Sequence, residues 1–223
     1  MKQANFFLYG KVMACAFLTL IAGGCVSVPD SPNPKFYMLR AIDEGQATQK
    51  FTVAPNMIIG IGPVKIPEYL NRPQIVTRDK NNMLIFAQFD RWGESLDIGL
   101  GRLIRENLIV MLPGATLEMF PWGLDVPVKY QVFIDVVQLE SELDKDMFFT
   151  VQWSIFDINK KKMVIIKRSE FRPPVNPKNY SGLVKTLSAA CISLSSEIAE
   201  AVGSLGNFPA SKEEIPVSKP NTF

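Results

Sequence analysis

Histidine is absent from this sequence of 223 residues. Histidine is a frequent general base at neutral pH and a frequent zinc ligand, so its absence removes the Ser-His-Asp and Cys-His catalytic arrangements and nearly every zinc site. The chain also lacks the glycine-rich loop of nucleotide-binding proteins, the serine elbow of hydrolases and the H-E-x-x-H helix of metalloproteases. We therefore predict a protein that is not an enzyme, with no catalytic residue, no cofactor and no metal.

Carboxylate pairs are the remaining candidates for acid–base chemistry. They occur at Asp90 and Glu94, at Asp135 and Glu140, and at Glu142 and Asp144. A glycosidase needs two carboxylates on either side of a cleft, whereas these side chains lie among polar positions typical of a solvated surface. One enzymatic alternative stays open, namely a hydrolase in which a serine and a lysine of lowered pKa lie within hydrogen-bond reach.

Residues 1–24 have the layout of a secretory signal peptide. Lys2 and Lys11 form a basic region, and residues 12–21 form an apolar region that is too short to span a membrane. The whole chain has 24 Lys and Arg against 22 Asp and Glu, so loss of the two signal lysines leaves the mature chain formally neutral. A neutral chain has no electrostatic basis for binding nucleic acid, and we predict no nucleic-acid partner.

Cysteine is scarce, but one cysteine follows a recognisable motif. The segment "LIAGGC", which ends at Cys25, resembles a bacterial lipoprotein box, in which the thiol receives a diacylglycerol group and the freed amine is then acylated. The resemblance implies a palmitate-type lipid anchor on Cys25, and Val26 after it points to the periplasmic face of the outer membrane. An ordinary cleaved signal followed by a stray cysteine is the alternative. With Cys25 acylated, only Cys191 remains as a free thiol, so no intramolecular disulfide can form.

The mature chain divides into a tether, one domain and a tail. Residues 25–35 hold the lipidated cysteine and a proline-containing tether. Residues 36–205 have the length and apolar content of a single α/β domain. Residues 206–223 are rich in Pro, Ser, Lys and Glu without periodicity, and we predict that they are a disordered tail.

The domain sequence predicts an α/β fold in which a mixed sheet with antiparallel hairpins is packed by two long helices. Helices are predicted after the N-caps Ser95 and Asn179, the second over residues 180–202, because apolar residues recur there at three-and-four spacing. Strands are predicted over residues 36–39, 57–66, 74–78, 83–89, 115–120, 129–139, 147–158 and 163–171. The strand at 129–139 has apolar residues on both faces, which predicts a central strand covered on both sides.

The segment "GIGPVKIPEYLNRPQIVTR", residues 60–78, begins like a phosphate-binding loop. Pro63 has no backbone N–H to offer a phosphate, and no third glycine completes the pattern. We therefore interpret the segment as a strand, a corner at residues 67–74 and a second strand.

Three further segments are distinctive: "FYML", "FDRWGESLDIGLGRLIRENL" and "NYSGLVKTLSAACISLSSEIAEAV". Together with residues 60–78, they resemble the ABC-type transport auxiliary lipoprotein family, the PqiC/YmbA-like proteins. The resemblance implies a fold similar to the N-terminal domain of TolB. It also implies an outer-membrane lipoprotein of Gram-negative bacteria that docks an MCE-domain protein in an intermembrane lipid transport system, with a ring-like homo-oligomer in some members. A structural envelope lipoprotein with no transport link is the alternative function.

Four residues in the segments that resemble the family are candidates for partner binding: Tyr69, Arg72, Gln74 and Arg91. Aromatic and arginine side chains are frequent anchors at interfaces. The structural alternative is that Arg72 bonds the backbone of its own corner and that Tyr69 packs inward. Lysines 160–162 are interpreted as a solvated turn, with contact to lipid head groups as the alternative.

Overall fold

A computed structural model of the protein describes residues 32–43, 45, 50–141 and 145–206. The predicted signal peptide, lipid attachment at Cys25, the acidic pair at Glu142 and Asp144 and the tail beyond residue 206 lie outside the described residues. Within the described ranges, neither helix has the length and apolar character needed to cross a membrane.

The predicted strands and helices are all present, within a few residues of their expected bounds. The strands are β1 (Lys35–Tyr37), β2 (Ile58–Lys65), β3 (Gln74–Arg78), β4 (Leu84–Trp92), β5 (Thr116–Met119), β6 (Tyr130–Ser141), β7 (Met147–Asp157) and β8 (Lys162–Phe171). The helices are α1 (Leu96–Met111) and α2 (Tyr180–Gly206), and a turn of 3-10 helix at the predicted corner spans Glu68–Leu70.

The strands form two sheets. A five-stranded sheet has the order β5-β2-β6-β7-β8, in which β2 is parallel to both neighbours and the β6, β7 and β8 pairs are antiparallel. A three-stranded sheet has the order β1-β4-β3, in which β1 is parallel and β3 antiparallel to β4. The predicted β3–β4 and β7–β8 hairpins are confirmed, as is the mixed α/β fold packed by two long helices.

The core lies between the five-stranded sheet and the helices. Helix α1 packs on β2 and β5, and α2 packs on β7 and β8, so the two helices cover one face of the sheet. The predicted apolar stripe of α2 is buried: Leu183, Val184, Leu187, Ala190, Cys191, Leu194, Ile198 and Val202. Cys191 is a small core side chain, and burial raises the pKa of its thiol, so it is not a reactive nucleophile.

Strand β6 is central in the sheet but is covered on one face only. Val132 and Ile134 are fully buried under the helices, whereas Asp135 is exposed and Val137 is 44% exposed. The prediction that both faces are covered is wrong, because both helices pack against the same face of the sheet. The apolar residues Phe133 and Val137 therefore lie on a face that no helix of the described residues covers.

The two predicted N-caps differ in their hydrogen bonds. Asn179 Oδ1 accepts a hydrogen bond from the backbone N–H of Gly182 at 2.9 Å, so the predicted cap of α2 is confirmed. Ser95 occupies the cap position of α1, but its hydroxyl donates to the Asp97 carboxylate and makes no capping bond.

Candidate partner-binding surface

The three-stranded sheet brings Gln74 and Arg91 side by side. Arg91 of β4 is in register with Gln74 of β3 on one side and with Phe36 of β1 on the other. In-register neighbours place their side chains on the same face, so the three residues form one row across the sheet. Phe36 is 64% exposed, whereas Trp92, the next residue along β4, is buried. The row thus lies on the face turned away from the core, to which Trp92 belongs.

Arg72 lies next to this row and contacts an aromatic ring. Its guanidinium carbon is 4.2 Å from the centroid of the Phe86 ring, a cation–π arrangement, and Phe86 is 46% exposed. The backbone N–H of Arg72 donates to Leu70 O at 2.8 Å, but its side chain reaches across to β4. Sequence reasoning missed Phe36 and Phe86 as members of this surface. The apolar run "LIFAQF" in β4, with more apolar residues than one buried face needs, was the available signal.

Arg72 and Arg91 differ from most other arginines of the domain. The Nε atoms of both are inaccessible to solvent and have no hydrogen-bond partner among the described residues. Ion pairs in the described part of the chain instead involve Arg40, Arg78, Arg102, Arg168 and Arg172. Among the described residues, no ion pair involves Arg72 or Arg91, so their side chains are positioned by packing.

Tyr69 is placed differently from the other three candidates. Its side chain is half-buried and packs against the core. Burial, followed by the nearby carboxylate of Glu140, raises the pKa of its phenol. The structure thus brings Arg72, Gln74 and Arg91 to one surface and directs Tyr69 toward the interior, as the structural alternative expected for that residue.

Several other titratable groups form structural contacts. Tyr37 Oη donates to Asp90 Oδ1 at 2.7 Å, and Glu94 pairs with Arg102 at 2.7 Å. Glu140 forms an ion pair with Arg78. Several serine hydroxyls donate to carbonyls of their own helix or to a carboxylate, as seen for Ser169, Ser188, Ser193, Ser195 and Ser204. Within the described ranges, no group of His, Cys, Asp and Glu residues could hold a metal ion.

The sequence matches a known family and a named relative. The profile of the ABC-type transport auxiliary lipoprotein component matches residues 37–199. The intermembrane transport lipoprotein PqiC of Escherichia coli K12 is 21% identical over 170 residues, which cover 76% of this chain and 87% of PqiC. The PqiC protein of Shigella flexneri matches to the same extent.

Solved structures show the same fold. Protein XCC0632 from Xanthomonas campestris superposes with a TM-score of 0.61 at 12% identity, covering 77% of this chain and 96% of that protein. A crystal structure of an uncharacterized protein gives a TM-score of 0.63 at 19% identity, covering 77% of this chain and 99% of the other. The family profile spans most of the domain, including the corner, β3, β4, α1 and most of α2. The chain belongs to the ABC-type transport auxiliary lipoprotein family.

Proposed function

We propose that this protein is an outer-membrane lipoprotein that docks an MCE-domain protein at the periplasmic end of an intermembrane lipid transport system. Its family is that of auxiliary transport lipoproteins, and its relative PqiC is an intermembrane transport lipoprotein. The observation that carries the docking role is the surface formed by Arg72, Gln74 and Arg91 with Phe36 and Phe86. We call these five residues the arginine surface.

The arginine surface has the composition of a binding hot spot. Arginine and aromatic side chains supply most of the binding free energy at many interfaces, because they bury large areas and form directed hydrogen bonds. Here the Arg72 guanidinium lies over the half-exposed ring of Phe86, and Arg91 is in register with the exposed Phe36. Partner carboxylates or carbonyl oxygens would pair with the guanidinium groups, and apolar partner side chains would cover the two rings.

The lipid anchor at Cys25 supplies the second half of the proposal. Multiple acyl chains hold a protein at a membrane far more firmly than one chain. Residues 25–35 span at most about 40 Å when fully extended, so the anchor would keep the domain within reach of the leaflet. Such an arrangement suits a subunit that receives the periplasmic end of a partner anchored elsewhere. Assembly of several copies into a ring is a further expectation from the family resemblance.

An affinity pull-down from detergent-solubilised envelope tests the proposal. The bait is the acylated full-length protein, and captured proteins are identified by mass spectrometry. Recovery of an MCE-domain protein is the expected result. Its absence, with the bait shown to be acylated and folded, would overturn the docking role and favour the structural envelope lipoprotein.

A further inference from the structure

One end of the five-stranded sheet gathers apolar side chains and lysines on its exposed surface. Strands β6, β7 and β8 meet there, because Tyr130 is in register with Asp157 and Asp157 with Lys162. The backbone N–H of Ile158 also donates to Lys129 O at 3.0 Å. We call the surface formed by residues 120–129 and 158–166 the sheet tip.

Large apolar side chains are unusually exposed at the sheet tip. Leu124 is fully exposed, Ile166 is 64% exposed, Phe120 is 47% exposed and Met163 is 46% exposed. Trp122 packs edge-to-face with Phe120, with ring centroids 5.5 Å apart. Single exposed apolar residues need no explanation, but a concentration of them marks an interaction site.

The loop that carries these side chains is held in place by the sheet. Trp122 lies directly over Gly60 of β2, where an added Cβ would come within 2.4 Å of its ring. One row across β2, β6, β7 and β8 consists of Gly60, Gln131, Phe156 and Met163, each in register with the next. The loop is thus packed against the same face of the sheet that displays Met163, the face that the helices leave open.

The charge of the sheet tip is positive. Its cations are Lys129, Lys160, Lys161 and Lys162, and its one acid is Asp125. The adjacent Asp157 is buried, accepts a hydrogen bond from the backbone N–H of Lys160 at 2.9 Å and forms a long ion pair with Lys160 Nζ at 3.9 Å, which leaves Lys129, Lys161 and Lys162 against Asp125. Since the mature chain is formally neutral, this excess of lysine is a local feature and not a consequence of net charge.

We infer that the sheet tip binds the surface of a bilayer that contains anionic phospholipid. Lysines beside exposed aromatic and aliphatic residues are the combination that places a protein at the lipid interface, with cations at the phosphates and apolar groups at the acyl boundary. A solvated turn explains the lysines alone but does not explain Leu124, Phe120 and Ile166 beside them. This contact would orient a domain that is otherwise held by the predicted tether and lipid anchor, and it does not depend on the docking role.

Vesicle binding by residues 26–223, which lack the predicted signal peptide and Cys25 and so cannot be acylated there, tests this inference. The buried hydrophobic residues described in the structure lie between Leu39 and Val202, so this chain keeps them all. Co-sedimentation is measured with phosphatidylcholine vesicles and with vesicles in which about one quarter of the lipid is phosphatidylglycerol. We expect binding to the anionic vesicles, weakened by salt, and little binding to phosphatidylcholine alone. Equal binding to both vesicle types, or binding to neither, would overturn the inference.

Two pairs of variants locate the contact. K160Q/K161Q/K162Q should lower partitioning into anionic vesicles by about a hundredfold, given the usual contribution of each lysine near an anionic surface. K80Q/K178Q/K185Q removes the same charge from exposed lysines elsewhere and should have a much smaller effect. L124S/I166S should also weaken binding, whereas I98S/I109S, on exposed positions of α1, should not. Equal effects of the tip and control variants, with all proteins folded by circular dichroism, would contradict the assignment and leave the docking proposal unaffected.

Discussion

The Asn107 side chain of α1 donates from Nδ2 to Ser195 Oγ of α2 at 3.1 Å, and both residues are fully buried. Asn107 Oδ1 also accepts the backbone N–H of Ile42 at 2.9 Å, and Ser195 Oγ donates to Cys191 O. This polar bridge joins the two helices to the segment that follows β1. Helix packing and the position of the three-stranded sheet are therefore coupled through one amide.

Replacement of Asn107 with alanine should destabilise the domain strongly. The change leaves the Ile42 N–H without its acceptor and opens a small cavity, for an expected loss of about 2–3 kcal/mol. Chemical denaturation measures the difference. S193A is the control, because Ser193 is exposed and its bond to Ala189 O is long at 3.4 Å. A loss for N107A as small as that for S193A would show that the bridge is not important for stability.

Gly182 should not tolerate a side chain. A Cβ at this position would lie 1.7 Å from the carbonyl oxygen of Pro177, which is backbone and cannot move as a side chain could. G182A should therefore cost about 2 kcal/mol or more, although alanine is otherwise the better helix former. Thermal unfolding of G182A against S181A, one residue earlier, checks this. Equal melting temperatures for the two variants would contradict the prediction.

The two N-cap positions should respond differently to alanine. N179A should lose about 1 kcal/mol, because Asn179 caps the Gly182 N–H. S95A should lose less than about 0.5 kcal/mol, because Ser95 makes no capping bond and donates to Asp97 instead. Denaturant unfolding of both variants gives the comparison. A larger loss for S95A than for N179A would reverse this interpretation of the caps.

The fold was more predictable than the site, for physical reasons. Helix caps, apolar stripes and hairpins depend on residues that are neighbours in sequence. The two helices and both hairpins could therefore be located from the sequence alone. The bond of Asn179 could be anticipated, but whether Ser95 bonds Asp97 or the backbone depends on a local rotamer choice. The single-sided burial of β6 could not be inferred, because it depends on both helices packing on one face.

Assembly of the arginine surface depends on strand register across distant positions. Arg91 pairs with Gln74, whereas Val76 pairs with Phe86, so the β3–β4 ladder is irregular between these pairs. A regular hairpin drawn from the sequence would not produce this register. Arg72 and Arg91 could thus be named as candidates, but the contact of Arg72 with Phe86 and the pairing of Arg91 with Gln74 could not be predicted. The lipid attachment at Cys25 is the opposite case, since a short contiguous motif carries the whole prediction.

Ionisation of Tyr37 should lower the stability of the domain at alkaline pH. Burial of its phenol, together with the hydrogen bond to the Asp90 carboxylate, raises the pKa of Tyr37 to about 12. Folding therefore favours the neutral phenol. Its contribution to the free energy of unfolding is fully present below the unfolded pKa of about 10 and is lost as pH rises toward the folded pKa. Y37F should be less stable than the wild type at pH 8 and should show a flatter decline between about pH 10 and 12. Parallel pH profiles for the two proteins would contradict this role.

Arg72 and Arg91 provide the most direct test of the docking surface. R72A removes a contact with a half-exposed ring, so its stability should fall by no more than about 1 kcal/mol, while capture of the partner should fall sharply. R91A should behave similarly, and R72K should recover little because lysine lacks the planar guanidinium. R40A is the matched control, since the Arg40 side chain is 82% exposed and pairs with Asp43 at 3.4 Å. Pull-down yield and melting temperature are measured for each variant. Unchanged capture by folded R72A and R91A would show that these arginines support the corner without contacting the partner.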